Sequence, residues 1–243
     1  MHSPKLILVG AGPGDPELIS LKGLKALQQA DVVMYDALVS EELLKHAPNA
    51  IQIFCGKRAG THYMKQDEIN RQIVEQANRH GVVVRLKGGD PFIFGRGQEE
   101  IEYAEKHGIP SEIIPGISSA TALATLQQIP LTKRGITESV WITTGTTSCG
   151  ELSEDIELAA QSTATVVILM GIGKLAEIVR LFSRYKSGHY PIAIIQNGTL
   201  PDEKVVCGHL STIQQKVEEE KITSPAVIIV GNVVDCSQIT LHI

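Results

Sequence analysis

Short apolar runs alternate along the chain with stretches whose apolar positions recur at helical spacing. Leu6-Ile7-Leu8-Val9 reads as a buried strand, and residues 18–30 carry apolar side chains on one helical face, with Asp15 or Ser20 placed to cap it. The same rhythm predicts strands over 31–35, 51–55 and 82–86 and around 112–114, and helices around 41–46 and over 66–79, 98–106 and 120–126. Beyond the turn-rich segment Pro130-Leu131-Thr132-Lys133-Arg134-Gly135 the rhythm resumes. Strands are predicted over 139–144, 165–170, 192–196, 204–207 and 226–230, with helices around 175–182 and 210–219. Strands that alternate with helices imply an α/β fold with mainly parallel sheets covered on both faces. A boundary in the turn-rich segment gives two α/β domains, 1–134 and 135–243.

A chain of 243 residues can bury a core without covalent staples. Its four cysteines, Cys55, Cys149, Cys207 and Cys236, are widely spaced, with no CxxC pair and no zinc-type His spacing, so they are expected to be reduced thiols and no metal site is expected. The formal charge of −5, with both signs mixed, argues against a protein that coats nucleic acid or an anionic membrane. The apolar stretch after Lys5 is too short for a secretory segment, and no apolar run has transmembrane length, so a cytoplasmic protein is expected.

Chemistry concentrates in the turns that follow the strands, where α/β sheets gather their ligands. Leu86-Lys87-Gly88-Gly89-Asp90-Pro91-Phe92-Ile93-Phe94-Gly95-Arg96-Gly97 packs glycines, aromatics and charges into one loop, a composition suited to a backbone that approaches a ligand. Gly10-Ala11-Gly12-Pro13-Gly14-Asp15-Pro16 lies between a strand and a helix, as a dinucleotide turn does. Its spacing departs from G-x-G-x-x-G, however, and Pro13 removes an N–H that a pyrophosphate would need. A plain strand-to-helix turn and a site for a nucleoside without phosphates both remain open. Asp36, at a strand end, is either a turn cap or a presented acid.

Lys57 and Arg58, with Arg85, Lys87, Arg96, Lys133 and Arg134, are expected to form a cationic mouth for a carboxylate-rich ligand. Ser118 and Ser119, after Pro115-Gly116, are placed to cap a helix or meet a polar ligand edge. Met170-Gly171 and Asn197-Gly198-Thr199 end strands of the second half. HExxH, GxSxG and GxxxxGK[ST] are absent, which removes the main warrants for zinc protease, serine hydrolase and P-loop readings.

In order, GAGPGDP at 10–16, YDALVS at 35–40, GKRAG at 56–60, LKGGDPFIFGRG at 86–97, PGISSA at 115–120, PLTKRG at 130–135, MG at 170–171 and NGT at 197–199 closely resemble the tetrapyrrole methylase family. GKRAG with FIFGRG favours members that act on uroporphyrinogen III. The resemblance spans nearly the whole chain and implies two α/β domains with the active site in the cleft between them. It implies S-adenosyl-L-methionine as methyl donor, S-adenosyl-L-homocysteine as product, no metal, and a homodimer. The implied reaction is C-methylation of uroporphyrinogen III at C2 and C7, through precorrin-1 to precorrin-2, for sirohaem or cobalamin synthesis. Pro13, Gly88, Gly89, Asp90, Ile93, Phe94, Ser118, Ser119, Met170 and Gly198 match the donor pocket. Asp36 and Lys57 match the proton acceptor and donor, Arg96 and Glu99 match further catalytic positions at the tetrapyrrole side, and Arg58 and Arg134 are expected to bind substrate carboxylates. Family members commonly have Thr-Ala where Ser118-Ser119 stand.

The electron-rich pyrrole carbon needs no prior deprotonation, so holding it against the methyl group in a dry pocket is the main task, and a proton leaves afterwards. Three rival readings are a methyltransferase for another precorrin position, a donor-binding regulator without catalysis, and a nicotinamide oxidoreductase. The spacing around Pro13 speaks against the last.

Overall fold

The computed structural model describes residues 3–56 and 64–237. The chain divides into two compact units, Met1–Ser118 and Ser119–Ile243.

Unit 1 is a five-stranded sheet in the order β3-β2-β4-β1-β5, built from β1 (Lys5–Gly10), β2 (Val32–Tyr35), β3 (Ile51–Phe54), β4 (Val82–Lys87) and β5 (Ser111–Ile114). Every pairing in it is parallel, as the apolar runs Leu6–Val9, Val32–Met34 and Val82–Val84 of its central strands imply. Strand residues alternate between two cores. Ile7, Val9, Val33, Val84 and Leu86 pack with Ala26 and Leu27 of α1 (Leu21–Gln28) and with Leu43 and Leu44 of the 3-10 helix Glu41–His46. On the opposite face Leu6, Leu8, Val32, Met34 and Val83 pack with Ile69, Ile73 and Ala77 of α2 (Gln66–His80) and with Ile101 and Ala104 of α3 (Gly97–Lys106). The helix expected over 18–30 is split, because both candidate caps are used. Asp15 accepts from Glu17 N at 2.8 Å to start a 3-10 turn, Pro16–Leu18, and Ser20 Oγ accepts from Gly23 N at 3.1 Å to start α1.

Unit 2 holds α4 (Ser119–Leu126), β6 (Val140–Thr144), α5 (Asp155–Gln161), β7 (Thr165–Leu169), α6 (Leu175–Phe182), β8 (Pro191–Gln196), β9 (Lys204–His209), α7 (Ile213–Glu219) and β10 (Ala226–Val230). Its sheet runs β6-β7-β10-β8-β9. Only β6 and β7 pair in parallel; the pairs β7-β10, β10-β8 and β8-β9 are antiparallel. The expectation of a second mainly parallel sheet is thereby corrected. The short link from β8 to β9 leaves no room for a crossover helix, so β9 must fold back as a hairpin. Helix α5, whose Ile156, Ala159 and Ala160 are buried, had not been expected from the sequence.

The boundary also lies earlier than 134. Ala120, Leu123 and Ala124 of α4 share a core with Ile129 and with Val167, Ala193, Ile195, Val227 and Ile229, so α4 and the loop after it belong to the second sheet. No helix among the described residues is long and apolar enough to cross a membrane.

The expectation of four reduced thiols is overturned by a Cys207–Cys236 disulfide, with Cα atoms 5.5 Å apart. It joins edge strand β9 to the segment after β10, a proximity that sequence spacing does not reveal. Cys55 is buried and free, and Cys149 is exposed and free. Thiol titration of the unfolded, unreduced protein should therefore find two reactive thiols; finding four would show the pair to be open.

In unit 1, Lys22 and Lys5 clamp Glu112 of β5 at 2.6 and 2.7 Å and hold its carboxyl down at about 2. The folded value lies below the unfolded one. The clamp's contribution is thus complete above the ordinary carboxylate value and is lost as pH falls toward about 2. Glu112→Gln should flatten the pH dependence of urea stability across that window, and an unchanged slope would dismiss the clamp.

Candidate functional site

In unit 1 the carboxyl ends of the parallel strands share one edge. Neighbouring strands β1 and β4 send the chain to opposite faces there, β1 toward α1 and β4 toward α3, which makes a switch point of the kind where α/β sheets open a crevice. Loops 10–16 and 88–97 meet at it. Gly89 N donates to Gly12 O at 2.7 Å, and Gly12 N donates to Gly89 O at 3.3 Å. The β5 corner presses on both. A Cβ on Gly10 would fall on the backbone of Gly116, and one on Gly116 would fall on the Gly89 carbonyl. Asp90 locks the third contact, its Oδ2 accepting from Gly116 N at 3.0 Å and its Oδ1 from Phe92 N at 2.8 Å. Pro13 and Gly88 are half-buried here, and a Cβ on Gly88 would lie 2.8 Å from that of Leu38.

Beyond Asp90 the loop turns outward. Phe92, Ile93 and Phe94 remain 39–48% exposed. Phe94 and Arg96 adopt left-handed conformations, with φ of 55° and 58°. The Arg96 guanidinium is paired on both sides with Glu99, at 2.8 and 2.6 Å, and this hydrogen-bonded pairing lowers the Glu99 carboxyl below its usual range. Ser118 is half-buried at the end of unit 1, and Ser119 opens α4 in unit 2.

Asp36 follows β2 on the α2/α3 face and meets a buried cluster. Arg85 Nη2 donates to its Oδ1 at 2.5 Å, and Lys87 Nζ lies 3.9 Å from its Oδ2. Behind them Glu100 Oε1 accepts from Lys87 Nζ at 2.9 Å, Gln66 Nε2 at 3.1 Å and Arg85 Nε at 3.2 Å. Burial opposes the Arg85 cation, but Glu100 and Asp36 outweigh it and hold its pKa above the ordinary value. For Lys87, burial and the adjoining Arg85 charge prevail over Glu100 and Asp36, and its pKa is lowered. Burial pushes the nearby Cys55 thiol up to about 11.

Arg85 and Lys87 accordingly leave the expected cationic mouth: they lie inside the fold, paired with acids. Their positions explain this, because side chains alternate along β4 and Arg85 and Lys87 follow Val83 onto the α2/α3 face. Lys57 and Arg58 lie outside the described residues. Glu100 had not been singled out, although its signal is in the sequence. It falls in register with Gly97, Ile101 and Ala104, the buried stripe of α3, where an acid needs a cation opposite it.

In unit 2 the carboxyl ends of β6, β7 and β8 share one edge, with β10 running oppositely between β7 and β8. Met170 sits just after β7, 52% exposed and left-handed at φ 54°, and its carbonyl accepts from Thr146 Oγ1 at 2.9 Å. Gly198 follows β8 between left-handed Asn197 and Thr199, and a side chain there would strike Leu123 of α4. Packing alone therefore requires that glycine. Arg134 is exposed in the loop before β6. Among the described residues no group of three or more His, Cys, Asp or Glu side chains is placed to hold a metal ion.

Comparison with known proteins gives this geometry its context. A family profile for tetrapyrrole (corrin/porphyrin) methylases matches residues 5–214. A Methanocaldococcus jannaschii relative named uroporphyrinogen-III C-methyltransferase is 48% identical, over 95% of this chain and 97% of its own. The solved uroporphyrin-III C-methyltransferase of Thermus thermophilus, complexed with S-adenosylhomocysteine, is 36% identical with a TM-score of 0.81, covering 94% of this chain and 98% of that one. A cobalt precorrin-4 methyltransferase structure has a TM-score of 0.86 at 30% identity, covering 96% and 97%. With the family profile spanning most of the chain and relatives matched nearly end to end, this protein belongs to the tetrapyrrole methylases.

Proposed function

We propose that the chain transfers methyl groups from S-adenosyl-L-methionine to C2 and C7 of uroporphyrinogen III, forming precorrin-2 through precorrin-1 for sirohaem or cobalamin synthesis. The observation that carries this reading is the near-full-length identity with a relative bearing the name of that activity. The turns of unit 1 fit such a donor. Its switch point offers glycine backbone and exposed apolar side chains in place of a phosphate cradle, and Pro13 lacks the N–H that a phosphate would use. The donor, when bound, supplies an electrophilic sulfonium methyl group.

In this reading Gly88, Gly89 and Ile93 line the donor site in unit 1 together with Pro13, Phe94 and Ser118, and Ser119, Met170 and Gly198 contribute from unit 2. Asp90 serves through the loop it ties, since both its oxygens already accept backbone amides. Apolar Phe92, Ile93 and Phe94 exclude water, and Asp36 accepts the proton that leaves the ring carbon after methylation. Lys57 acts as proton donor, Arg96 and Glu99 act at the tetrapyrrole side, and Arg58 and Arg134 hold its carboxylates. The enzyme works as a cytoplasmic homodimer, and its mixed charge suits neither nucleic acid nor an anionic membrane.

Purified protein given uroporphyrinogen III and S-adenosylmethionine, without added metal or nicotinamide, should release S-adenosylhomocysteine and a dimethylated tetrapyrrole. Folded, donor-binding protein that methylates only a later precorrin in a substrate panel would move the assignment to another position of the pathway, and protein that methylates none would make it a regulator. Asp90→Ala should weaken S-adenosylhomocysteine binding roughly 10- to 100-fold, the loss expected when charge-assisted hydrogen bonds to a loop are removed. Arg96→Ala should leave that binding within about twofold and lower kcat/KM for the tetrapyrrole. Calorimetry and steady-state kinetics separate the two effects, and equal losses in both variants would refute the division of labour.

A further inference from the structure

The buried cluster behind Asp36 occupies space that apolar side chains could pack at less cost in desolvation. Arg85, Lys87 and Glu100 are 1%, 4% and 0% exposed, on a sheet face otherwise packed with Leu, Ile, Val, Met and Ala apart from Cys55, Gln66 and Asn70. Burying such ions costs stability unless pairing is complete. Here it is not, because Glu100 Oε2 is buried with no hydrogen-bond partner among the described residues. Asp36 alone has substantial access to solvent, at 30% side-chain exposure.

The connections run from that one exposed acid inward. Arg85 spans the gap, with Nη2 on Asp36, Nη1 on the carbonyls of Leu86 and Met34 at 3.2 and 3.4 Å, and Nε on Glu100. Its guanidinium thereby ties the end of β2 to α3. Lys87 bridges the same two acids from the last position of β4, immediately before the Gly88-Gly89 corner. Gln66 of α2, itself held on Asn70 Oδ1 at 2.9 Å, completes the contacts of Glu100 Oε1. Among the described residues, the groups facing Asp36 are Arg85 and Lys87 of β4, Glu100 of α3 and the Cys55 thiol after β3. Two cations balance two carboxylates.

We propose that Lys87 and Arg85, anchored together on Glu100, are positioning residues that fix the Asp36 carboxylate at the edge of the unit 1 sheet for proton acceptance. This rests on the reading of Asp36 as acceptor. When Lys87 loses its proton, one guanidinium is left to face two carboxylates in a low-dielectric interior, and Asp36, the member with access to water, relaxes outward. Burial and Arg85 lower the pKa of Lys87, so turnover falls at a pH below the ordinary lysine value of about 10.4.

The test measures kcat against pH, together with calorimetric binding of S-adenosylhomocysteine, for the full-length wild type and for Lys87→Arg, Lys87→Met, Glu100→Gln and Asp36→Asn, each first shown by thermal melting to be folded. Glu100→Gln removes the negative charge that helps Lys87 keep its proton. Its alkaline limb should move to lower pH and its kcat should fall roughly tenfold, while donor binding stays within about twofold. Lys87→Met should lose more of kcat, and Lys87→Arg should restore part of that loss and abolish the alkaline limb, because a guanidinium does not titrate there. An alkaline limb in Lys87→Arg that coincides with the wild type, or a Glu100→Gln variant that loses kcat and donor binding together, would overturn the proposal. Near-wild-type turnover in Asp36→Asn would sink the acceptor assignment itself. An inactive Asp36→Asn beside an unmoved limb in Lys87→Arg would sink the cluster's role alone.

Discussion

Three backbone corners in unit 1 approach one another so closely that a side chain on two of them is excluded. Gly10 and Gly116 touch backbone to backbone, and the Gly89 carbonyl faces the place where either would carry a Cβ. This contact brings the ends of β1, β4 and β5 to one point, and Asp90 closes it by accepting amides from two of the three loops' segments. Everything assigned to the donor side of unit 1 hangs on that point. Loop 88–97 leaves it with its direction already set, which is why its apolar residues can stand in solvent rather than collapse onto the sheet. An added methyl group at Gly10 or Gly116 would therefore move loops, whereas one at an exposed position such as Gly173, which has open space around it and no left-handed backbone, would move none.

Much of this was legible in the sequence, and the reason is local. Runs such as Leu6-Ile7-Leu8-Val9 can be satisfied only by burial on both faces, so unit 1's parallel sheet follows from them. Glycines in the turns after strands likewise mark backbone contact wherever they fall. What remained hidden depends on distant partners. The short β8–β9 link implies a hairpin, but nothing local places β10 antiparallel between β7 and β8, and nothing about Cys207 points to Cys236. The place of Arg85 and Lys87 near a strand end, among other bases, suggests a cationic mouth for a carboxylate-rich ligand. Only the register of β4 against α3 shows them facing Glu100 instead. In the same way Gly198, expected from its motif to be a ligand contact, is demanded by the Leu123 side chain, which reaches it from α4.

The two units pay for their exposed loops differently. In unit 1 the outward loop is held at its root by backbone hydrogen bonds and by Asp90, and its left-handed residues, Phe94 and Arg96, come after that anchor. In unit 2 the left-handed residues Met170, Asn197 and Thr199 sit directly at the ends of β7 and β8. Each such residue costs about 1–2 kcal/mol relative to an ordinary backbone conformation. The offsetting interactions are specific: Thr146 Oγ1 on the Met170 carbonyl, Asn197 Nδ2 on Asp202 at 2.6 Å, and Glu203 accepting from Thr199 N at 2.7 Å and from Gln127 at 2.6 Å. Strain of this kind persists only where the surroundings over-determine it, and it gathers at functional sites. Five of the seven left-handed non-glycine residues among the described ones, Phe94, Arg96, Met170, Asn197 and Thr199, fall in motifs that carried the family resemblance, whereas Gln128 and Lys221 fall outside them.

Substrate choice within the family must then rest on what the fold leaves free. Tetrapyrrole methylases named for different intermediates share this backbone closely, so the fold by itself does not distinguish one polycarboxylate ring from another. In the proposed reading, the side chains open to that discrimination include the exposed ones beyond the anchored root, Phe92, Phe94 and the Arg96–Glu99 pair. Arg96 is already neutralised by Glu99. A substrate carboxylate that engages it must compete for a guanidinium held in a two-pronged pair, and gains only the difference between the two partners. Such an exchange favours a ligand that presents a carboxylate at one particular distance from the apolar wall of the loop, since a misplaced one leaves the existing pair intact. Under the proposed assignment of Arg96 and Glu99 to the tetrapyrrole side, the pairing would act as a threshold on recognition as well as a source of positive charge.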